Sequence, residues 1–138
     1  MRALRTGLLL LCSALAVPAL PHHGISNWDL NKDVTLNGRI TRFDFVNPHV
    51  WLHLAVKASD GRIEDWSCEM RSANSLRRSG WTVEMFRAGT AVTVTGSPER
   101  YKARQCYLST IKFADGTSMD RYGQRQLAAA EKARVAVA

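Results

Sequence analysis

The chain has 138 residues, 46% of them hydrophobic and 22% charged, with 19 Lys and Arg against 12 Asp and Glu and a formal net charge of +7. The basic residues are scattered among acids, which argues against nucleic acid as a partner and leaves at most a weak attraction to anionic surfaces. None of the three cysteines sits in a C-x-x-C pair, so thiol redox chemistry has little support.

Residues 1–19 read as a signal peptide. Arg2 and Arg5 precede an apolar run from Leu8 to Leu15, and small residues follow, which is the three-part layout of a secretory leader. The run is too short to cross a bilayer, which takes about 20 residues. Cleavage is expected after Ala19, with Ala16 as the alternative. Cys12 does not make this a lipoprotein leader, because Leu11 stands where a small residue is needed. No second apolar segment follows, so the mature protein is expected to be exported and to carry no transmembrane segment. Without Arg2 and Arg5 the balance is 17 basic against 12 acidic residues, about +5. The remainder suffices for one domain with one core. That domain is expected over residues 20–124, with 125–138 a flexible or weakly helical tail.

From Val34 the hydrophobic pattern has period two. Val34, Leu36, Gly38 and Ile40 share one parity, whereas Phe43 and Phe45 take the other, which predicts a bulge near Arg42 in one long strand. Asn47-Pro48 predicts a turn. Val50, Leu52, Leu54 and Val56 alternate as in a half-buried second strand. Asp60-Gly61 predicts a hairpin turn into a third strand with Trp66, Cys68 and Met70 on one face. The period then changes. Ser72 reads as a helix N-cap and Gly80 as its stop, and a second helical turn runs from Thr82 to Gly89. A fourth strand has Val92 and Val94 inward. A basic loop leads to a fifth strand that ends at the Asp115-Gly116 turn.

Three strands, a short helix and two more strands predict an all-β, OB-like five-stranded barrel, in which a long coiled first strand serves both halves. Cys68 falls in the third strand and Cys106 in the fifth, which are neighbours in that topology. An even pair in an exported protein favours a disulfide. It would close a loop of 38 residues, worth about 4 kcal/mol in the chain-entropy account.

His22-His23, "VTLNGRITRFDFVNPHVWLHL", "LRRSGW", "AGTAVTVTGSP" and "FADGTSMDRYGQ" resemble a family of small exported bacterial proteins known only as a domain of unknown function. The resemblance runs from His22 to about Gln124, and Gly24 replaces a serine usual there. It implies a small, β-rich, single-domain exported protein, with the periplasm as the expected location. It carries no catalytic or binding residues.

All four histidines lie in two places, His22-His23 and His49–His53. His49, Trp51 and His53 share a face opposite to the Val/Leu row. At about 3.3 Å per residue His49 and His53 lie roughly 13 Å apart, so an unbroken strand cannot bring both to one metal. An N-terminal copper site is weakened too. Cleavage after Ala19 leaves Leu20-Pro21-His22, and Pro21 has no amide proton to lose to a square-planar copper. Two readings of His49 remain. It could hydrogen-bond the Asn47-Pro48 turn, or join His22 and His23, with Asp44 or Asp29, in a composite copper or zinc site. His53 reads as a solvated or satisfied surface histidine rather than a metal ligand.

No nucleophile elbow, acid–base pair or phosphate-cradling loop is visible, so no catalytic residues are assigned. Ser, His and Asp all occur, without a sequence setting that joins them. Asp65 and Glu69 read as a polar outer face. Trp51 and His53, with Arg100 and Tyr101 of the basic loop that also holds Lys102 and Arg104, are the candidate ligand-binding residues for an anion or saccharide. Trp66 and Trp81 read as core. The expected function is a non-catalytic binding or adaptor module without a cofactor, whose partner is a protein or small ligand. The competing reading is a copper- or zinc-binding protein that uses His22, His23 and His49.

Overall fold

The structure, a computed structural model, describes residues 24–123, 125 and 126; His22 and His23 lie outside the described residues. Strand β1 (Val34–Asp44) is eleven residues long and serves two neighbours. Its first half pairs with β4 (Ala91–Pro98), Val34 opposite Gly96 through Arg39 opposite Ala91. Its second half pairs with β2 (Trp51–Lys57), Gly38 opposite Val56 through Asp44 opposite Trp51. The register slips between Ile40 and Arg42. One extra residue there flips the inward parity from Leu36 and Ile40 to Phe43, which is the bulge the sequence pattern predicts. Strand β3 (Ile63–Glu69) completes an antiparallel hairpin with β2 across the Asp60-Gly61 turn, where Gly61 has φ +86°.

The ring closes where β3 meets β5 (Gln105–Phe113). The pairing is parallel and short: Ser67 with Gln105, Cys68 with Cys106, Glu69 with Tyr107. Strand β5 also pairs with β4, so the five strands form a closed OB-type barrel. The predicted disulfide lies in this seam, Cys68 bonded to Cys106 between register partners. Outside the ring, β6 (Ser118–Asp120) pairs with β5, and β7 (Arg125–Gln126) with β6. The sequence pattern does not contain these two short strands, since neither is long enough to display an alternation. Arg125 and Gln126 belong to the stretch read as a tail; its other residues lie outside the described ones.

The inward rows of all five strands fill the barrel. Leu36, Ile40, Val50, Leu52, Leu54, Val92, Val94, Leu108 and Ile111 are all buried. Helix α1 (Ala73–Arg78) covers the core with Leu76. The Ser72 hydroxyl accepts from the Ser75 amide at 3.3 Å, capping its start. Its end is a Schellman turn. Trp81 N–H donates to Leu76 O at 3.0 Å and Gly80, at φ +83°, donates to Arg77 O at 3.1 Å. This turn drops Trp81 into the core, where it stacks on Phe86, which in turn lies 4.0 Å, centroid to centroid, from Phe43. Trp66 is only half-buried, packed against the core with its indole N–H donating to Glu64 at 3.2 Å. Among the described residues no helix is long and apolar enough to cross a membrane.

The sequence motif Gly89…Val92, Val94, Gly96 has a physical reading in this frame. Gly89 adopts φ +86° at the turn into β4, and Val92 and Val94 point inward. A Cβ on Gly96 would lie 2.6 Å from Tyr107 O and 3.0 Å from Cys106 Sγ. Gly96→Ala is therefore expected to cost about 1–3 kcal/mol by overpacking a site where the obstacle is backbone. Replacing both Cys68 and Cys106 by Ala should cost about 4 kcal/mol, given the 38-residue loop they close. Urea unfolding of each variant beside wild type measures both. A Gly96→Ala protein as stable as wild type would show that the seam can spread to admit a side chain.

Candidate functional site

Two loops meet at one rim of the barrel: residues 45–50 between β1 and β2, and residues 99–104 between β4 and β5. Between them a groove of about 520 Å³ runs over the outer face of β2, β3 and β5. OB barrels commonly seat ligands on this face and these loops. Trp51, His49, Glu69, Glu99, Lys102 and Gln105 line it, together with Asn27 and Trp28 of the segment before β1.

That segment is tied down firmly. A 3₁₀ turn, Ile25–Asn27, leads to Trp28, which bridges to Glu99, is 5% exposed and stacks on Tyr107 at 5.9 Å. The Asp29 amide donates to Pro98 O and the Arg100 amide to Asn27 O. The Asp29 carboxylate holds Lys32 at 3.1 Å and Arg100 at 3.4 Å. Its hydrogen bond from Lys32, helped by the nearby charge of Arg100, holds the carboxyl below the usual carboxylate range despite partial desolvation.

Glu69 forms the floor. It is 6% exposed, although its strand parity faces outward. His49 Nδ1 lies 2.5 Å from its Oε1, and Glu69 has contacts beyond that one. Burying a carboxyl group without such partners costs several kcal/mol, and the contact with His49 offsets part of that cost. The expectation that His49 would brace the Asn47-Pro48 turn is corrected: its Nδ1 reaches across to β3. The turn, a cis peptide, is braced by helix α1, where the Asn74 amide donates to Asn47 Oδ1 at 3.3 Å.

Glu69 is the residue that sequence reasoning missed, taken there for plain outer-face polarity. A signal existed. A hairpin centred on Asp60 places Trp51 opposite Glu69, as observed. What the pattern could not supply was the cover: the 24–30 segment and the two loops.

The proposed ligand-binding residues do not stay together. Trp51 lines the groove, as the sequence predicts. Arg100 turns to Asp29, and Tyr101 is 81% exposed, away from the groove lining; Glu99 and Lys102 of the same loop take the lining positions. Glu99 curls back so that its carboxylate accepts the amides of Tyr101, at 2.8 Å, and Lys102. His53 lies outside the groove too. Of the carboxylates weighed with His49, Asp29 and Asp44 are both engaged with other cations.

His53 sits in a cross-strand row, flanked by Arg42 on β1 and Ser67 on β3. Its Nε2 is 3.0 Å from Asp44 Oδ2 and its Nδ1 2.9 Å from Ser67 Oγ. Burial, the largest influence on Asp44, pushes its carboxyl upward. The hydrogen bond from His53 and the Arg42 charge together outweigh it and hold Asp44 below the usual range. Arg42 Nη2 lies 3.0 Å from His53 Nε2 and 2.9 Å from Asp44 Oδ2, so the imidazole, the guanidinium and the carboxylate meet at one point. These are the residue types of a hydrolytic triad. Ser67's own amide is bonded to Arg104 O at 3.1 Å and so is not free to serve an oxyanion. The network is a clamp across β1, β2 and β3.

The chain belongs to DUF6152, a family of unknown function. The match covers residues 9–107, from the leader-like stretch to the start of β5. No curated protein and no solved structure matches the chain. In this DUF6152 chain, no group of three or more His, Cys, Asp or Glu side chains placed to hold a metal occurs among the described residues.

The Asp44 clamp makes a pH-dependent contribution. A carboxyl whose folded pKa is depressed stabilises the fold above its unfolded pKa, and the effect fades as pH falls through the folded value. Wild type should therefore be more stable than Asp44→Asn at about pH 6, and the gap should close only below the ordinary value of 3.8. Urea midpoints of the two proteins across a pH series test this; a gap that stays constant through the acid range refutes it.

Proposed function

We propose that this protein is a non-catalytic binding module that takes a small polar ligand in the groove between the 45–50 and 99–104 loops, and that it works after export, in the periplasm. The observation that carries the reading is Glu69: a buried, outward-facing carboxylate at the base of a groove with an indole, an imidazole and an amide on its walls. A face evolved only for solubility leaves its carboxylates in water. The mixture suits a ligand with one flat apolar side, to lie on Trp51, and several hydrogen-bonding groups, for His49, Glu69, Lys102 and Gln105. The leader-like first 19 residues and the pairing of Cys68 with Cys106 support an oxidising location outside the cytoplasm.

Thermal unfolding in the presence of a panel of mono- and disaccharides, amino acids, organic acids and divalent metal salts tests the groove. A ligand present at 100 times its Kd stabilises the native state by about 2.7 kcal/mol, a rise in Tm of roughly 10 °C for a domain of this size. At least one class should raise the Tm of wild type by this order and leave Trp51→Ala unmoved. A panel in which every class leaves wild type unmoved, or moves Trp51→Ala equally, removes the groove as the binding site.

A further inference from the structure

A second concavity, of about 660 Å³, shares no residue with the groove. It lies on the outer face of the barrel where β1 passes from β4 to β2. Gly38 is at that crossing, paired with Val56 on one side and Val92 on the other. A Cβ on it would lie 2.7 Å from Ala55 O, so the strands approach there more closely than a side chain allows. The neighbouring outward residues are small: Arg39 is flanked by Ala55 on β2 and Ala91 on β4. The close crossing and the two alanines leave a hollow floored by backbone and methyl groups.

Every charged side chain lining the hollow is a cation: Arg39, Lys57 and Lys112. All three are exposed, and none forms an ion pair with a carboxylate among the described residues. The outward carboxylate opposite Ala55, Asp65, is not part of the lining. Arg39 is held in place through Nη1, which donates to Gly89 O at 2.9 Å. Thr93 Oγ1 donates to Asn37 Oδ1 at 2.8 Å, so the Asn37 side chain offers its NH2 as a donor. Asn37, Thr93 and Lys112 are register partners across β1, β4 and β5. Lys57 follows Val56, the partner of Gly38, and so stands level with Asn37 on its other side. Neighbouring strands are about 4.8 Å apart, which puts the Cα atoms of Lys57 and Lys112 roughly 14 Å apart along the sheet, with Asn37 between them. A concave surface lined by one sign of charge focuses the field on what enters it.

We propose that this hollow is a second binding site, for a phosphoryl-bearing anion seated between Lys57 and Lys112, with Arg39 and the Asn37 amide as further donors. A carboxylate presents two acceptor oxygens in one plane. A phosphoryl group presents three in a tetrahedral array, which suits donors that arrive from β1, β2 and β5. Hydrogen bonds from Lys and Arg to such oxygens are charge-assisted and about twice as strong as neutral ones. A soluble phosphate ester and an anionic lipid headgroup offer this same chemistry. The site stands whether or not the groove binds a ligand.

Two probes separate the sources: inorganic pyrophosphate, followed by calorimetry, and vesicles of phosphatidylglycerol beside vesicles of phosphatidylcholine, followed by sedimentation. Salt at about 0.1 M screens long-range attraction in both. Wild type should bind pyrophosphate or the phosphatidylglycerol vesicles, and not the phosphatidylcholine ones. Pyrophosphate binding marks a soluble ligand, and binding to phosphatidylglycerol vesicles alone marks a lipid headgroup. With either probe, Lys57→Gln together with Lys112→Gln should weaken binding by at least about 10-fold, the worth of one lost charged hydrogen bond. Arg77→Gln together with Arg78→Gln removes the same charge from α1 and should leave binding unchanged, as should Trp51→Ala in the groove. Ala91→Phe fills the hollow without changing charge and should weaken binding as the lysine change does. The lysines, the arginines and Ala91 are exposed, and circular dichroism checks each variant for folding. A wild type that binds neither pyrophosphate nor phosphatidylglycerol at millimolar concentration overturns the inference. So does an Ala91→Phe protein that binds as wild type does, or a lysine change that weakens binding no more than the arginine change, which reduces the attraction to net charge.

Discussion

The barrel depends on a seam of three residue pairs. Strands β1, β2 and β3 form a meander whose order follows from short turns, and β4 and β5 form a second hairpin. Neither set alone encloses a core. Enclosure requires β3 to lie parallel to β5 over Ser67–Glu69, far apart in sequence and with few hydrogen bonds. Covalent linkage of Cys68 to Cys106 at the centre of that short contact makes the closure independent of its weak ladder. Gly96 is required for the same reason, since a side chain there would press on Tyr107 O and the disulfide sulfur.

The groove is a consequence of this closure. Joining β3 to β5 brings the outward row Trp51, Glu69, Tyr107 into line across three strands. Trp28 then packs on Tyr107 and bridges to Glu99, so the segment before β1 roofs one side of the row. The 45–50 loop, propped on α1 through Asn47, walls the other. Glu69 is buried because three separate segments converge over a residue that its own strand points outward. One position along the same face, the row Arg42, His53, Ser67 has no such cover and closes on itself through Asp44. Two histidines four residues apart, His49 in the 45–50 loop and His53 on β2, thus end in different settings: His53 between Asp44 and Ser67, His49 held by Glu69 at the groove.

Much of the framework is legible before any coordinates. The parity slip between Ile40 and Phe43 marks the β1 bulge; Ser72 and Gly80 mark the ends of α1 to within a residue; the glycines at 61, 80, 89 and 116 mark turns, all with positive φ. Trp51 was legible as a groove residue, because strand parity and the choice of face are local properties. Arg100, Tyr101 and His53 were legible only by type. Arg100 finds Asp29, Tyr101 faces solvent, and His53 finds Asp44 and Ser67, and each of those outcomes depends on a partner from another element.

The amino-acid sequence by itself determined the strand and helix order, the inward rows, the turns and the pairing of Cys68 with Cys106. Hydrophobic period, capping residues and glycine placement act within a few residues, and the barrel topology admits few ways to join strands in that order. Only the tertiary structure decided that Glu69 would be buried beneath His49 and that His53 would be locked in a clamp. Burial of a polar side chain is set by what the rest of the chain lays over it. For Glu69 that cover comes from the segment around Trp28 and from two loops, none of which its own strand pattern encodes.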